Sequence, residues 1–239
     1  MVKMAGIELK NIQKSYSVDD RTLHVLKGID LHIPEKSITV ILGRSGCGKT
    51  TLLRLVGGLE SPDFGEIQFT AEHKTAYVFQ EPRLMPWLHV WDNVVFGLKK
   101  QERNKTAVQN IIDTVGLKGF EKAYPHQLSG GMQQRAAIAR ALAYDPSFIM
   151  MDEPFAALDY FTRDQMQKEL IRLQQSRGAS ILFVTHSIDE ALLLGHKIAV
   201  IENGFVKREF MIETESTERD LLSPSFIDLK REIINELDL

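Results

Sequence analysis

The chain has 239 residues and a formal net charge of −3, long enough for one large domain with a sizeable core. Apolar residues make up 44% and charged residues 26%, inside the globular range and outside the disordered, collagenous and strongly basic ones, so nothing in the composition calls for nucleic acid. Cys47 is the single cysteine, which excludes an intramolecular disulfide, makes structural zinc a poor fit and points to a reducing compartment.

The opening "MVKMAGIELK" has neither the apolar core nor the small-residue cleavage pattern of a secretory signal. The most apolar windows, "ASILFVT" and "EALLLGHKIAVI", fall short of the run of about 18 to 20 residues that crosses a bilayer. A cytoplasmic chain that meets a membrane only through a partner is therefore expected. Ile7 to Leu9, Gly28 to Ile33 and Ser37 to Leu42 are predicted strands, with β-branched residues, alternation and turn punctuation in "IPEKS". The apolar run "SITVILG" ends at Gly43, and "KTTLLRLVGGL" follows with leucines at helical spacing, giving strand, loop, helix. From Leu88 to about Ala143 the pattern is mainly helical and predicts an inserted lobe. Two buried-strand runs, "SFIMMD" and "SILFVTH", flank a helix predicted over Tyr160 to Ser176, the rhythm of a parallel α/β sheet. Last, the polar linker "ETESTERD" leads into "SPSFIDLKREIINEL", where Ser223 is placed to cap a helix with Pro224 in its first turn.

Gly43, Gly46, Gly48, Lys49 and Thr50 satisfy G-x-x-x-x-G-K-[ST] in the strand-to-helix context that gives this pattern its meaning. Glycines let backbone N–H groups converge on a polyphosphate at a helix N-terminus, where the dipole favours negative charge. Lys49 supplies a point charge and the Thr50 hydroxyl a Mg²⁺ ligand. Cys47, inside the loop, reads as a variable filler position in preference to a redox-sensitive thiol. In "FIMMDEP" an apolar strand ends in two carboxylates, and strand alternation would send Asp152 toward a metal at the loop and Glu153 toward an attacking water. "LSGGMQQR" opens a helix with Ser129 as a candidate cap and two glycines that expose further N–H groups, a second anion-binding end.

Taken in order, the phosphate loop, "FQ" at Phe79 and Gln80, "LSGGMQQR", "FIMMDEP", "ALD" at Ala157 to Asp159 and "VTH" ending in His186 resemble the six motifs of the nucleotide-binding subunits of ATP-binding cassette (ABC) transporters, over nearly the whole chain. The resemblance implies an α/β P-loop NTPase cassette with a RecA-like parallel-sheet core, an N-terminal antiparallel β subdomain and an inserted helical subdomain. The cassette would span residues 3–211, with the helical insertion at about 88–148, and 212–239 would form a C-terminal linker and helix. It also implies ATP and Mg²⁺ as ligands and a head-to-tail dimer of two copies that sandwich two nucleotides. Tyr16 would stack on adenine, and Gly43, Arg44, Ser45, Gly46, Cys47, Gly48, Lys49, Thr50 and Thr51 would hold the phosphates. Thr50, Gln80 and Asp152 would form the metal shell. Glu153 would be the general base, assisted by Gln80, Lys49 and the switch histidine His186. Ser129, Gly130 and Gly131 would close on the other copy's nucleotide, and Asp159 would couple the two sites.

"VFQEPRLMPWLHVWDNVVFGL", with its Pro86-Trp87 pair, is similar to importer ATPases of the nitrate, sulfonate and taurine group, which implies separate transmembrane permease subunits, indirectly a solute-binding protein, and a peripheral position on the cytoplasmic face of the cell membrane. Trp87 and Trp91 would serve either core packing or permease contact. Three departures stand out. The hairpin expected around "FTAEHKTAYVFQ" is short, Lys36 stands where relatives carry glycine, and "ETESTERD" replaces an arginine-rich approach to the last helix. The rivals are a soluble non-transport ABC ATPase, which would normally show a long coiled-coil insertion or tandem cassettes, and the ATPase subunit of an exporter.

Overall fold

The computed structural model describes residues 6–19, 21–71 and 73–237. The chain divides into two units, one of Met1–Glu72 with Gln174–Leu239 and the other of His73–Leu173. In chain order the elements up to the first crossing are β1 (Gly6–Val18), β2 (Arg21–Pro34), β3 (Ile38–Leu42), α1 (Lys49–Val56) and β4 (Phe64–Phe69). The second unit carries β5 (Thr75–Val78), α2 (Val90–Val94), α3 (Lys105–Thr114), α4 (Gly130–Ala143), β6 (Phe148–Asp152) and most of α5 (Tyr160–Arg177). The chain then returns through β7 (Ser180–Thr185), α6 (Ile188–Leu194), β8 (Lys197–Glu202), β9 (Phe205–Met211) and α7 (Pro224–Glu236).

In the first unit β1 pairs antiparallel with both β2 and β4, in the order β2-β1-β4. Alternation explains which face is buried: Ile7, Leu9, Ile29, Leu31 and Ile33 are inside while their neighbours remain at the surface. Both strands run further than the alternating cores at Ile7 to Leu9 and Gly28 to Ile33, because ladder pairing carries the more polar Gln13–Val18 and Arg21–Lys27 along. β3, β7 and β8 are parallel, in the order β7-β3-β8, and every residue of β3 and β7 is buried. Unbroken apolar strands of this kind are covered on both faces, which is why "ITVIL" and "SILFVT" show no alternation. β9 adds antiparallel to β8 through Asn203 and Gly204, both at positive φ.

The turn before β3, where Lys36 replaces the glycine of relatives, is strained. Lys36 sits at φ 53°, the left-handed region that disfavours a side chain by roughly 1 kcal/mol. Its peptide is held on both sides, the N–H donating to Ser180 Oγ at 2.8 Å and the carbonyl accepting from Gln174 Nε2 at 2.6 Å. These two bonds offset the strain.

In the second unit β5 and β6 pair in parallel. β4 therefore belongs to the β1 ladder and β5 to β6, and the expected hairpin around "FTAEHKTAYVFQ" does not form. The connecting segment is a crossing between sheets and not a turn within one. The stretch from Leu88 to Ala143 is less helical than its periodicity predicts: α2 is five residues long, and residues 115–129 are turns with one 3₁₀ turn at Pro125–Gln127. α4 is the organising helix: it contacts both α2 and α3, and it buries Ala136, Ala137 and Ala139, small side chains that allow close helix packing. At the C-terminus, Ser223 occupies the N-cap position of α7 and Pro224 its first turn, but no side-chain cap bond forms. The Ser223 hydroxyl donates instead to the Asp220 carbonyl at 2.7 Å, shaping the approach and leaving the helix end to its geometry.

Candidate functional site

β3 delivers the chain into the loop Gly43–Gly48, and α1 starts at Lys49. Gly46 and Gly48 have φ 81° and 104°, conformations that an L side chain adopts only under strain. A Cβ on Gly43 would lie 2.4 Å from the Ile201 carbonyl oxygen, so close backbone packing also demands glycine there. α1 anchors this end by burying Leu52, Leu53, Leu55 and Val56. A fully buried leucine contributes about 2 kcal/mol, so Leu52→Ala would loosen the helix on which the loop is mounted.

Lys49 is 5% exposed, and its Nζ donates to the carbonyls of Gly43 and Arg44, each at 2.9 Å. The ammonium is thus held inside the curve of the loop. A cavity of about 420 Å³ adjoins it, lined by Val25, Lys27, Arg44 to Cys47, Glu202 and Asn203. Burial pushes the Cys47 thiol up, against the opposing charge of Lys49, which suits a filler better than a reactive thiolate. Tyr16 is tied to both ends of α1: its hydroxyl donates to Glu60, beyond the end of the helix, and also meets the Thr51 side chain in the first turn. Burial first, then the Glu60 carboxylate, raises the phenol's pKa and keeps it a donor.

His186 also belongs to the first unit, exposed in the turn between β7 and α6. Both its neighbours are fixed. Thr185 Oγ1 donates to the buried Glu190 Oε2 at 2.6 Å and accepts from Ser187 N at 3.0 Å, while Ser187 Oγ caps α6 by accepting from Glu190 N at 3.3 Å. The spacing Ser187 to Glu190 is a capping-box signal that the sequence itself displays beside the histidine.

In the second unit Asp152 ends β6 and is 4% exposed. Glu153 departs from the strand alternation expected of it. Its φ is 43°, so a left-handed turn, and not the pleat, separates the two carboxylates. The turn is closed by Ala156 N donating to the Glu153 carbonyl at 3.2 Å and anchored by Phe155, which is buried.

Ser129 caps α4 as expected, its Oγ accepting from Met132 N at 3.3 Å, and Gly130 and Gly131 form the first turn. A Cβ on Gly131 would touch the Ala157 carbonyl and Leu158 at 3.3 Å, so this helix end lies against the "ALD" turn. Asp159 there starts α5, its Oδ1 accepting from Thr162 N at 3.0 Å, a bond that holds its carboxyl below the usual carboxylate range.

Gln80 is exposed just beyond β5, and α4 positions its loop. The buried Gln134 donates from Nε2 to the Phe79 carbonyl at 3.1 Å, and Arg140 donates to the carbonyls of Arg83 at 2.8 Å and Pro82 at 3.0 Å. The Arg83 guanidinium lies 3.9 Å from the Phe79 ring centroid. Beyond it the buried Asn93 accepts from Met85 N and donates to the carbonyls of Met85, Leu88 and His89, fixing the Pro86-Trp87 corner. Trp87 is 69% exposed and so is no core residue; Trp91 is half-buried. An apolar groove of about 400 Å³, lined by Tyr77, Phe79, Met85, Phe96, Leu98 and Tyr144 among others, runs alongside. Gln134 sits inside "LSGGMQQR", yet its bond to the Phe79 carbonyl, like the bonds of Arg140 and Asn93, is a contact that no sequence motif announces.

A strand, a glycine loop cradling a buried lysine and a following helix define a P-loop nucleotide-binding cassette. Residues 26–156 match the family model described as ABC transporter, and the chain belongs to that family as an ABC-type ATPase. It is 41% identical over 244 residues to an ABC transporter ATP-binding protein of Methanocaldococcus jannaschii, covering 97% of this chain and 91% of that one. It is 36% identical over 240 residues to the aliphatic sulfonates import ATP-binding protein SsuB of Bacillus cereus, covering 97% and 96%. Among solved structures it resembles the dimeric post-hydrolysis state of the ATP-binding cassette MJ0796 bound to ADP and Pi, with a TM-score of 0.79 and 33% identity over 87% of this chain and 99% of that one.

Proposed function

We propose that this chain is the ATP-hydrolysing subunit of an ABC importer, powering uptake of a small anion of the nitrate, sulfonate or taurine kind through a separate permease. The relatives named as sulfonate importers support the direction and the solute class. The observation that carries the reading is the apolar groove beside the Gln80 loop, with Phe96 and Trp87 exposed at the surface of the same unit. Exposed apolar area of this kind marks a protein partner. Among the described residues no helix is long and apolar enough to cross a membrane, so the partner would supply the spans. The chain would then lie peripherally on the cytoplasmic face. Its cassette would be residues 3–211 with the 88–148 insertion, followed by 212–239 as linker and helix.

In this reading Tyr16 stacks on adenine, and Gly43, Arg44, Ser45, Gly46, Cys47, Gly48, Lys49, Thr50 and Thr51 receive the phosphates. Lys49 would exchange carbonyl oxygens for phosphate oxygens. Thr50, Gln80 and Asp152 offer hydroxyl, amide and carboxylate oxygens, the hard donors that Mg²⁺ takes together with phosphates and water. That ion would neutralise charge on the β- and γ-phosphates. Glu153 accepts a proton from water as its oxygen bonds to the γ-phosphorus, the bond to the ADP oxygen breaks, and His186 contacts the γ-phosphoryl oxygens. Ser129, Gly130 and Gly131 close on the nucleotide of a second copy and Asp159 couples the two sites, so hydrolysis would wait on dimer closure.

The test is uptake by cells in which this chain is deleted and its permease retained. Expected is loss of ATP-dependent uptake of sulfonate, taurine or nitrate, restored by the parent chain but not by Phe96→Asp, whose ATP hydrolysis in solution stays near parental while membrane association is lost. Uptake that is indifferent to the deletion would remove the importer reading.

A further inference from the structure

α6 has seven residues, too few to be stable alone, so the positions of its two ends depend on what holds them. The C-terminal segment holds both. From the linker after β9, Arg219 Nη1 donates to the carbonyls of Leu192 at 2.9 Å, Leu193 at 3.1 Å and Gly195 at 2.8 Å, acceptors that the last turn of α6 leaves unmatched. A cation there also opposes the negative end of the helix dipole. Its Nε donates to the Thr214 carbonyl at 2.9 Å, fixing the guanidinium to the linker. Burial lowers the Arg219 pKa to about 10, with the charge of Glu215 opposing the shift, and the group stays cationic at neutral pH. At the other end Lys230, on α7, pairs with Asp189 Oδ1 at 2.5 Å in the first turn of α6. α7 is itself held to β9 by Arg208, which donates to Glu232 at 2.9 Å and Glu236 at 3.1 Å.

The turn bearing His186 is bonded to the same helix through Glu190, which joins Thr185 by its carboxylate and Ser187 by its N–H. A shift of α6 along or about its axis therefore moves the peptides on both sides of His186. We propose that Arg219 is a positioning residue for His186: residues 212–237 grip α6 at both ends and set where the histidine is presented. Lys230 is the weaker grip, because an exposed ion pair is worth little. The proposal rests on the reading of His186 as the γ-phosphate contact.

The experiment is ATP hydrolysis by the full chain, steady-state and single-turnover, for Arg219→Ala, Arg219→Lys, His186→Ala and the Arg219→Ala/His186→Ala pair. Arg219→Ala is expected to lower kcat on the order of tenfold while KM for ATP moves less than about twofold, since the phosphate loop is not touched. In the His186→Ala background it should cause no further loss, because both act through one side chain. Arg219→Lys keeps the charge but loses the fork, giving an intermediate kcat, and carries the same test if the alanine variant does not fold. Hydrogen exchange should quicken at residues 190–195 and stay unchanged in α1. Full turnover by His186→Ala would remove the histidine reading and leave the grip unused. An impaired His186→Ala beside an unaffected Arg219→Ala, or losses that multiply in the pair, would overturn the proposal.

Discussion

Gln134 donates its side-chain amide to the Phe79 carbonyl at 3.1 Å, one peptide before Gln80. Gln134 lies in the second turn of the helix capped by Ser129, so a single rigid element carries the Ser-Gly-Gly end and pins the Gln80 loop. Arg140, further along, adds bonds to Pro82 and Arg83. Displacing either end of this helix displaces the other.

Arg140→Ala leaves two carbonyls without their donors. An unfolding free energy lower by about 1–3 kcal/mol is expected, with faster hydrogen exchange across residues 80–85. Denaturant titration and exchange mass spectrometry measure both. Parental exchange in that loop would show that Arg140 does not hold it.

Glu153→Gln removes the proposed base while keeping its size. Turnover should fall by about 10²- to 10⁴-fold, and the variant should elute as a dimer when ATP is present. Sizing chromatography with a phosphate-release assay follows both. Hydrolysis at the parental rate would transfer the role to another group.

Ser129→Arg places a long cation at the α4 N-terminus, where the dipole disfavours it. In mixed dimers with separately marked subunits, hydrolysis should fail at the site that carries the partner subunit's phosphate loop. Damage confined to the substituted copy's own loop would contradict the shared site.

His196 provides a pH dependence. Its Nδ1 accepts from Ile38 N at 3.1 Å, which requires the neutral ring, and burial, followed by the charge of Arg219, lowers its pKa. A depressed histidine pKa means that the unfolded chain binds more protons than the folded one, so its contribution is present above about pH 6.5 and is lost as pH falls toward the folded value. Unfolding free energy measured from pH 7.5 to 5.0 should fall more steeply for the parent than for His196→Asn. Parallel curves would count against it.

The motifs of this chain are written in contiguous residues, which is why the phosphate loop, the Ser129 cap, Asp152 at the end of β6 and α5 are legible without coordinates. What escapes is set by groups distant in sequence. Gln134 meets Phe79 across 55 positions, and Arg219 meets Leu192 across 27, so neither leaves a local pattern. Glu153 escapes for another reason. Its φ of 43° is a single dihedral choice, and nothing in "MDEP" distinguishes a pleated glutamate from one in a left-handed turn. β4 and β5 mislead by proximity, since short spacing normally favours a hairpin.

The Lys49 ammonium resting on the carbonyls of Gly43 and Arg44 has a thermodynamic corollary. The charge is already out of bulk water and its side chain already ordered, so on the proposed role of Lys49 an incoming triphosphate would meet a socket that has incurred its desolvation and entropy losses during folding. What the ligand gains is only the surplus of anionic over peptide oxygen as an acceptor. Such an exchange would favour selectivity for highly charged phosphate tails over raw tightness, and it would let a spent, less charged product leave without dismantling the socket.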